Sequence, residues 1–147
     1  MPNSIREQIL QAAVNRIAPV VEPLNANIYR SPTVALTREQ APAIVLFPES
    51  DEVTERANNR VEHQLIINLV ALARGVAPTS PETEADALLV ATHAALMSET
   101  TFGGLALGVF EMDCEWEIED ADSTVAAIPA RYAIRYRTLQ YDLTQRG

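Results

Sequence analysis

The chain contains no lysine. All 11 of its basic residues are arginine, set against 20 aspartates and glutamates, for a formal net charge of −9 over 147 residues. That absence excludes chemistry built on a lysine amine, such as a P-loop or a Schiff base. The negative balance disfavours a nucleic-acid reader with a basic groove and a polybasic membrane-surface binder. Cysteine is nearly absent as well. Cys114 stands alone, so no intrachain disulfide can form, and a reducing compartment is the natural setting. Long apolar runs are missing. The start of the chain, Met1 to Glu7, carries no secretory apolar region. The longest mostly apolar stretch, Leu65 to Ala73, is interrupted by Asn68 and is far shorter than the roughly 20 residues a spanning helix needs. The expectation is a soluble cytoplasmic protein without a membrane partner.

What remains is the composition of one globular domain, residues 1–147. Hydrophobic residues make up 48% of the chain and the mean hydropathy is close to zero, which separates it from disordered and membrane-spanning classes. A chain of this length buries roughly 68–70% of its unfolded surface, enough for a core without disulfides or metals. The charge is uneven. Up to Gly75 there are 8 acids and 7 arginines; after it, 12 acids and 4 arginines. Most of the excess lies between Glu99 and Asp122, a stretch with eight acids and no arginine.

Local patterns predict the elements. Ser4-Ile5-Arg6-Glu7 has the form of a capping box, and Ile5, Ile9, Ala12, Ala13 and Ile17 follow at helical spacing, predicting a helix over 4–18 that stops before Pro19. Prolines 19, 23, 32 and 42 mark a loop-rich segment in which Asn27 to Arg30 is a short strand candidate. Ala43 to Phe47, between two prolines, suits a buried strand. Glu49 to Asn59 is polar and reads as a long hairpin arm or a mobile loop, with Asn58-Asn59 as a turn. Val61 to Arg74 alternates: Val61, His63, Leu65, Ile67, Leu69 and Ala71 share one face, and Glu62, Gln64, Ile66, Asn68, Val70 and Leu72 the other. After a loop from Gly75 to Pro81, Ser80-Pro81-Glu82 opens a second helix that buries Ala85, Leu88, Leu89, Thr92, Ala95 and Leu96 and ends near Ser98. Gly103-Gly104 breaks the chain.

Ala106 to Glu119 then reads as a strand in which Phe110, Met112, Cys114, Trp116 and Ile118 alternate with Glu111, Asp113, Glu115, Glu117 and Glu119. A one-residue slip would bury five carboxylates, so a fixed register is expected. A turn over Asp120 to Thr124 leads to a returning strand, Val125 to Leu139, with Tyr132, Ile134 and Tyr136 on one face and Arg131, Arg135 and Arg137 on the other. Folded back, the arginine face meets the acid face, each opposite-charge pair contributing about 0.2–1 kcal/mol and leaving a negative surplus. The expected fold is α+β: an antiparallel or mixed sheet with two helices packed on one face and a C-terminal β-hairpin.

No catalytic constellation stands out. His63, His93, Cys114 and Asp113 lack metal-ligand spacing, and each histidine is expected to be a satisfied or surface imidazole. Cys114 is expected to be a buried, inert thiol. The acids of 111–119 are too uniform for paired acid–base work. Gly103 to Gly108 lacks the Gly-Lys-Ser/Thr that completes a phosphate loop. No catalytic, metal or cofactor residue is assigned.

The order of elements carries a resemblance. An amphipathic helix precedes Ala41-Pro42-Ala43-Ile44-Val45-Leu46-Phe47; a polar segment, Pro48 to Asn59, precedes the strand Val61 to Leu72. The Pro81 helix follows, then the acidic strand, a turn and Ala130-Arg131-Tyr132-Ala133-Ile134-Arg135-Tyr136-Arg137-Thr138. Over roughly Ile5 to Leu139 the chain resembles the minor tail protein U family, the tail terminators of long-tailed phages and prophages, departing from its smaller members in the longer Pro-rich segment 19–42. The resemblance implies a non-enzymatic structural protein without a cofactor, in the virion tail and, during assembly, in the host cytoplasm. It implies self-association into a hexameric ring on the last ring of the tail tube, where tube growth stops. The implied partners are the tail tube protein and the connector or neck proteins of the head–tail joint.

In that family, polar loops mobile in the monomer become ordered in the ring; here Glu49 to Asn59, with Glu49, Asp51 and Glu52, and Gly75 to Ser80 are the candidates. DNA passes through such a ring without specific binding. Glu111, Asp113, Glu115, Glu117 and Glu119, with Arg131, Arg135 and Arg137 opposite, are the residues expected to contribute to or lie near a negative lumen. The rival for this face is simple solvation, or pairing with arginines of a neighbouring subunit. Two other readings stay open: a small α+β module that recognises a partner at an exposed sheet edge, and an enzyme of a type that leaves no motif.

Overall fold

A computed structural model describes residues 2–32, 40–74, 80–114, 117–118 (backbone only) and 126–147. The element order is α1 (Ile5–Val21), a short 3-10 turn (Glu22–Leu24), β1 (Asn27–Arg30), β2 (Ala43–Ala57), β3 (Arg60–Ala73), α2 (Pro81–Met97), β4 (Gly108–Cys114), β5 (Glu117–Ile118), β6 (Ala126–Leu139) and β7 (Asp142–Arg146). The strands form one mixed, curled sheet in the order β1-β2-β3-β6-β4, with β5 and β7 also paired to β6. Only the β1–β2 pair is parallel. Both helices pack against this sheet, and β4 and β5 fold against β6 as a hairpin, so the α+β architecture inferred from patterning is the observed one.

The core follows from the two periodicities. Ile9, Ala13 and Ile17 of α1 and Leu88 and Leu96 of α2 close over Ile44, Leu46, Leu65, Ile67, Leu69, Ile128 and Ile134 of the sheet. Each leucine or isoleucine among them, fully buried, contributes about 1.5–3 kcal/mol relative to exposure. Strands β3 and β6 pair without interruption from Arg60↔Leu139 to Ala73↔Ala126. Because opposed residues share a face, this one register sends His63, Leu65, Ile67 and Leu69 toward the helices together with Tyr136, Ile134, Tyr132 and Ala130. The two faces read from the β3 sequence are those observed.

The helix ends are held by side chains. Ser4 Oγ accepts from the Glu7 amide at 3.0 Å, as the capping pattern requires. The reciprocal half of the box does not form, because the Glu7 carboxylate instead takes both Arg30 guanidinium nitrogens at 2.6 Å and ties α1 to β1. Helix α1 also runs past Pro19 to Val21, beyond the expected stop at residue 18. Val21 is fully buried in the core, and its packing offsets the hydrogen bond that Pro19 cannot donate. Ser80 and Pro81 open α2 as read from sequence. Its C-terminus is fixed by Arg16 of α1, which donates to the carbonyls of Leu96 and Glu99 at 3.3 and 2.5 Å and lies 4.4 Å over the Phe102 ring. The turn beyond has positive φ at Phe102, Gly103 and Gly104. Glu99 caps it. Hydrogen bonds from the Thr101 hydroxyl and the Gly103 and Thr101 amides hold that carboxyl down to about 2.

Of the two readings of Glu49 to Asn59, the hairpin arm is the observed one: β2 continues along β3 to a turn at Asn58-Asn59, both at positive φ. Irregularities between Pro48 and Ser50 and between Val53 and Glu55 interrupt its period of two, so no alternation was visible. The strand expected from Ala106 begins at Gly108, and β7, which pairs with the end of β6, had no apolar signal. The proposed turn 120–124 and most of the loop 75–80 lie outside the described residues.

Ile67, fully buried in the middle of β3, is a direct measure of this core. Ile67→Ala is expected to lower unfolding free energy by about 2–5 kcal/mol in chemical denaturation, with the denaturant slope unchanged.

Candidate interaction surface

The face of the sheet away from the helices carries the charges that the sequence singled out. On β6, Arg131, Arg135 and Arg137 point there together. Arg131 bridges two acids, Glu49 of β2 at 2.9 Å and Asp113 of β4 at 3.0 Å. Asn68 of β3 donates to the other Glu49 oxygen at 3.2 Å. Arg135 and Arg137 turn the other way, to Glu62 of β3. Arg135 bonds one carboxylate oxygen directly, Thr54 donates to that same oxygen at 3.3 Å, and Arg137 lies 3.5 Å from the second. Glu62 is 6% exposed, which makes it the buried acid of a solvent-facing sheet.

Sequence reasoning had matched these arginines with the acids of 111–119. Among the described residues one such pair forms, and register explains why. Arg135 stands opposite Gly108, and only Arg131 falls opposite an acid, Asp113. Glu62, absent from the candidate set, was visible only in the sense that two arginines at i and i+2 on a central strand need an acid on one neighbour or the other.

The acidic strand itself is not uniform. An irregularity between Glu111 and Asp113 shifts the register. Glu111 opposes Tyr132 on the helix side, while Asp113 opposes Arg131 on the outer side. Phe110 falls on the arginine face and Cys114 opposes Ala130, so the expected separation of apolar from acidic residues fails. The burial argument assumed a covered strand. At the sheet margin β4 is exposed on both sides, and a shift buries no carboxylate. Phe110, Met112 and Cys114 are all exposed. The buried-thiol expectation for Cys114 is therefore wrong, although it is not an activated thiol: desolvation of the sulfur, then Glu111, Asp113 and Asp86, push its titration upward. Glu115 and Glu119 lie outside the described residues, and Glu117 is placed only by its pairing with Ala127.

Of the β2 candidates, Glu49 and Glu52 belong to the outer face and Asp51 does not. Asp51 opposes Leu65, and its side chain lies under α1, where it accepts from Arg6 at 2.9 Å and from the Tyr136 hydroxyl. Its other oxygen is 3.4 Å from His63 Nδ1. His63 stacks on Tyr136 with 4.6 Å between centroids, and its Nε2 is 2.9 Å from the Thr138 hydroxyl. The hydroxyl–imidazole–carboxylate order resembles a nucleophile relay, but Thr138 is 1% exposed and no substrate reaches it. The cluster's chemistry is cohesion: it joins α1, β2, β3 and β6. Burial, then the Asp51 hydrogen bond and charge, push the Tyr136 phenol well above its ordinary range.

At the other end of the sheet, His93 of α2 is 2.9 Å from the Tyr132 hydroxyl, whose titration burial pushes up to about 12. Among the described residues, no three His, Cys, Asp or Glu side chains converge as metal ligands, and no helix is long and apolar enough to cross a membrane.

The outer face thus holds Glu49, Glu52, Glu55, Glu62 and Asp113 against Arg60, Arg131, Arg135 and Arg137, a surplus of one acid among these residues.

Glu62 links this face to stability. The Arg135 hydrogen bond holds its carboxyl below the ordinary value of 4.5. Its contribution is therefore complete above that value and fades as pH falls through the lower folded value. Glu62→Gln is expected to cost about 1–2 kcal/mol at pH 7, less than for a fully buried pair because both guanidiniums are half exposed. The gap between wild type and variant closes in acid denaturation curves below the ordinary value. In the interior cluster, Asp51→Asn and Tyr136→Phe combined in a double-mutant cycle are expected to couple by about 0.5–3 kcal/mol, read by urea unfolding.

No family model matches the chain, and no curated protein matches it. Among solved structures, the chain is similar to one in the virion of a native gene transfer agent (GTA) particle, at 16% sequence identity and a TM-score of 0.46, over 90% of each chain. A likeness at that level assigns no function.

Proposed function

We propose that this protein is a structural component of a long-tailed phage or prophage tail, a tail terminator that caps the tail tube as a ring, stops its polymerisation and offers a surface to the head–tail connector. The observation that carries this reading is the family resemblance in element order and strand sequence. The two strands that bear it, Ala43–Ala57 and Ala126–Leu139, lie on either side of β3 in one sheet. The charge of the outer sheet face supports it. A ring that conducts DNA requires a wall that repels phosphate, and a protomer of −9 repeated around a closed symmetric ring supplies one. Within the ring, the surface assigned to face the duplex is the outer sheet face with Glu49, Glu52, Glu55 and Asp113, rather than the β4 strand by itself. Acid-rich surfaces brought together between protomers repel each other, so assembly is favoured by divalent cations and salt.

Size-exclusion chromatography with light scattering, at rising protein concentration and with added magnesium, is expected to give a ring-sized species, a hexamer. Electron microscopy of purified tail tubes mixed with the protein is expected to show capped ends that no longer elongate. A chain that stays monomeric in every condition and leaves tube ends growing would overturn the proposal.

A further inference from the structure

Strand β4 ends the sheet. It pairs with β6 on one side, and among the described residues no strand pairs with the other. Every residue from Phe110 to Cys114 is exposed. Such a margin presents unpaired N–H and C=O groups, the template on which an additional strand forms. It also carries two large apolar side chains, Phe110 and Met112, at 50% and 42% exposure. Exposed apolar groups on a margin with free backbone mark an interaction site rather than a solvated edge.

Charge selects the occupant. Residues 111–119 hold five acids and no base. Glu111 is two-thirds exposed, with the His93 ring at 3.7 Å and no arginine in an ion pair with it among the described residues. A second copy fits poorly. Of its other open margins, β2 beyond Phe47 carries Glu49, Glu52 and Glu55, so adding it to β4 sets acid against acid, and β1 and β7 span only four and five residues against the seven of β4. Antiparallel pairing of β4 with β4 about Met112 brings Glu111 against Asp113, with the same result. The complementary strand is basic.

We propose that the β4 margin is a strand-addition site for an extended segment of a partner protein that carries basic residues flanked by apolar ones. The register shift between Glu111 and Asp113 puts these acids on opposite faces of the sheet, so the added strand presents one base to each face. Its apolar residues cover Phe110 and Met112. The site does not depend on ring formation.

The test uses the full chain and an eight-residue peptide with two central arginines flanked by alternating valine and threonine. Binding is followed by fluorescence anisotropy. Hydrogen exchange at residues 109–113 and alkylation of Cys114, the sole thiol, report position. The peptide is expected to bind, to slow exchange at 109–113 and to protect Cys114. Glu111→Arg, at an exposed side chain, is expected to weaken binding at least tenfold, about 1.4 kcal/mol, with the thermal midpoint unchanged. An analogue with alternate N-methylated amides keeps its charge but loses its donors, and is expected to lose binding to the same degree. Equal binding of that analogue, protection mapping to β2 instead, or no binding of the parent peptide overturns the proposal. Protection of Cys114 that rises with protein concentration in the absence of peptide also overturns it, because the occupant is then a second copy.

Discussion

The pairing of β3 with β6 is the constraint on which the other contacts depend. It runs from Arg60↔Leu139 to Ala73↔Ala126 without a bulge, and both strands alternate in composition over that length. A slip of β3 by one residue would turn Leu65, Ile67 and Leu69 away from the helices and drive Glu62 toward them. Each helix meets the face this register creates: α1 through Ile9, Ala13 and Ile17, and α2 through Leu88 and Leu96. Strands β2 and β4 attach on either side, and both tolerate bulges because β3 and β6 have already fixed which face is dry.

The polar groups follow from the same pairing. Glu62 stands opposite Arg137 and two pairs along, on the same face, from Arg135, so one carboxylate serves both guanidiniums. His63 stands opposite Tyr136 and stacks on it, which brings imidazole, phenol, the Thr138 hydroxyl and the Asp51 carboxylate together beneath Arg6. A buried polar group is costly unless it is bonded. These residues are nearly all bonded, and they lock the distal hairpin of β2 and β3 to the first helix. The outer face keeps a negative surplus because its arginines number fewer than its acids, and Arg131, Arg135 and Arg137 are committed to Glu49, Glu62 and Asp113.

The legible parts of the sequence were those where one side chain or one period decides. Ser4 and Ser80 marked the helix starts, and the alternation of Val61 to Ala73 identified both faces of β3. The Tyr and Arg faces of β6 were read correctly for the same reason. The failures share a cause as well. For Glu49–Ala57 the choice between hairpin arm and mobile loop stayed open, because bulges and edge exposure removed its alternation. β4 looked like a half-buried strand with an apolar face. Its alternation of acids with Phe110, Met112 and Cys114 was real in the sequence but belonged to a margin where neither face is covered.

The sequence by itself determined the helices, the central strands, the excess of acid and the absence of lysine, because propensity, capping and period are local properties. The tertiary structure decided which charges meet. Arg131 reaches Asp113 while Arg135 and Arg137 turn to Glu62, and Asp51 leaves the charged surface for the interior. Those outcomes depend on register between strands distant in sequence, and on whether a strand lies in the middle of the sheet or at its margin. No run of residues along one strand contains that information.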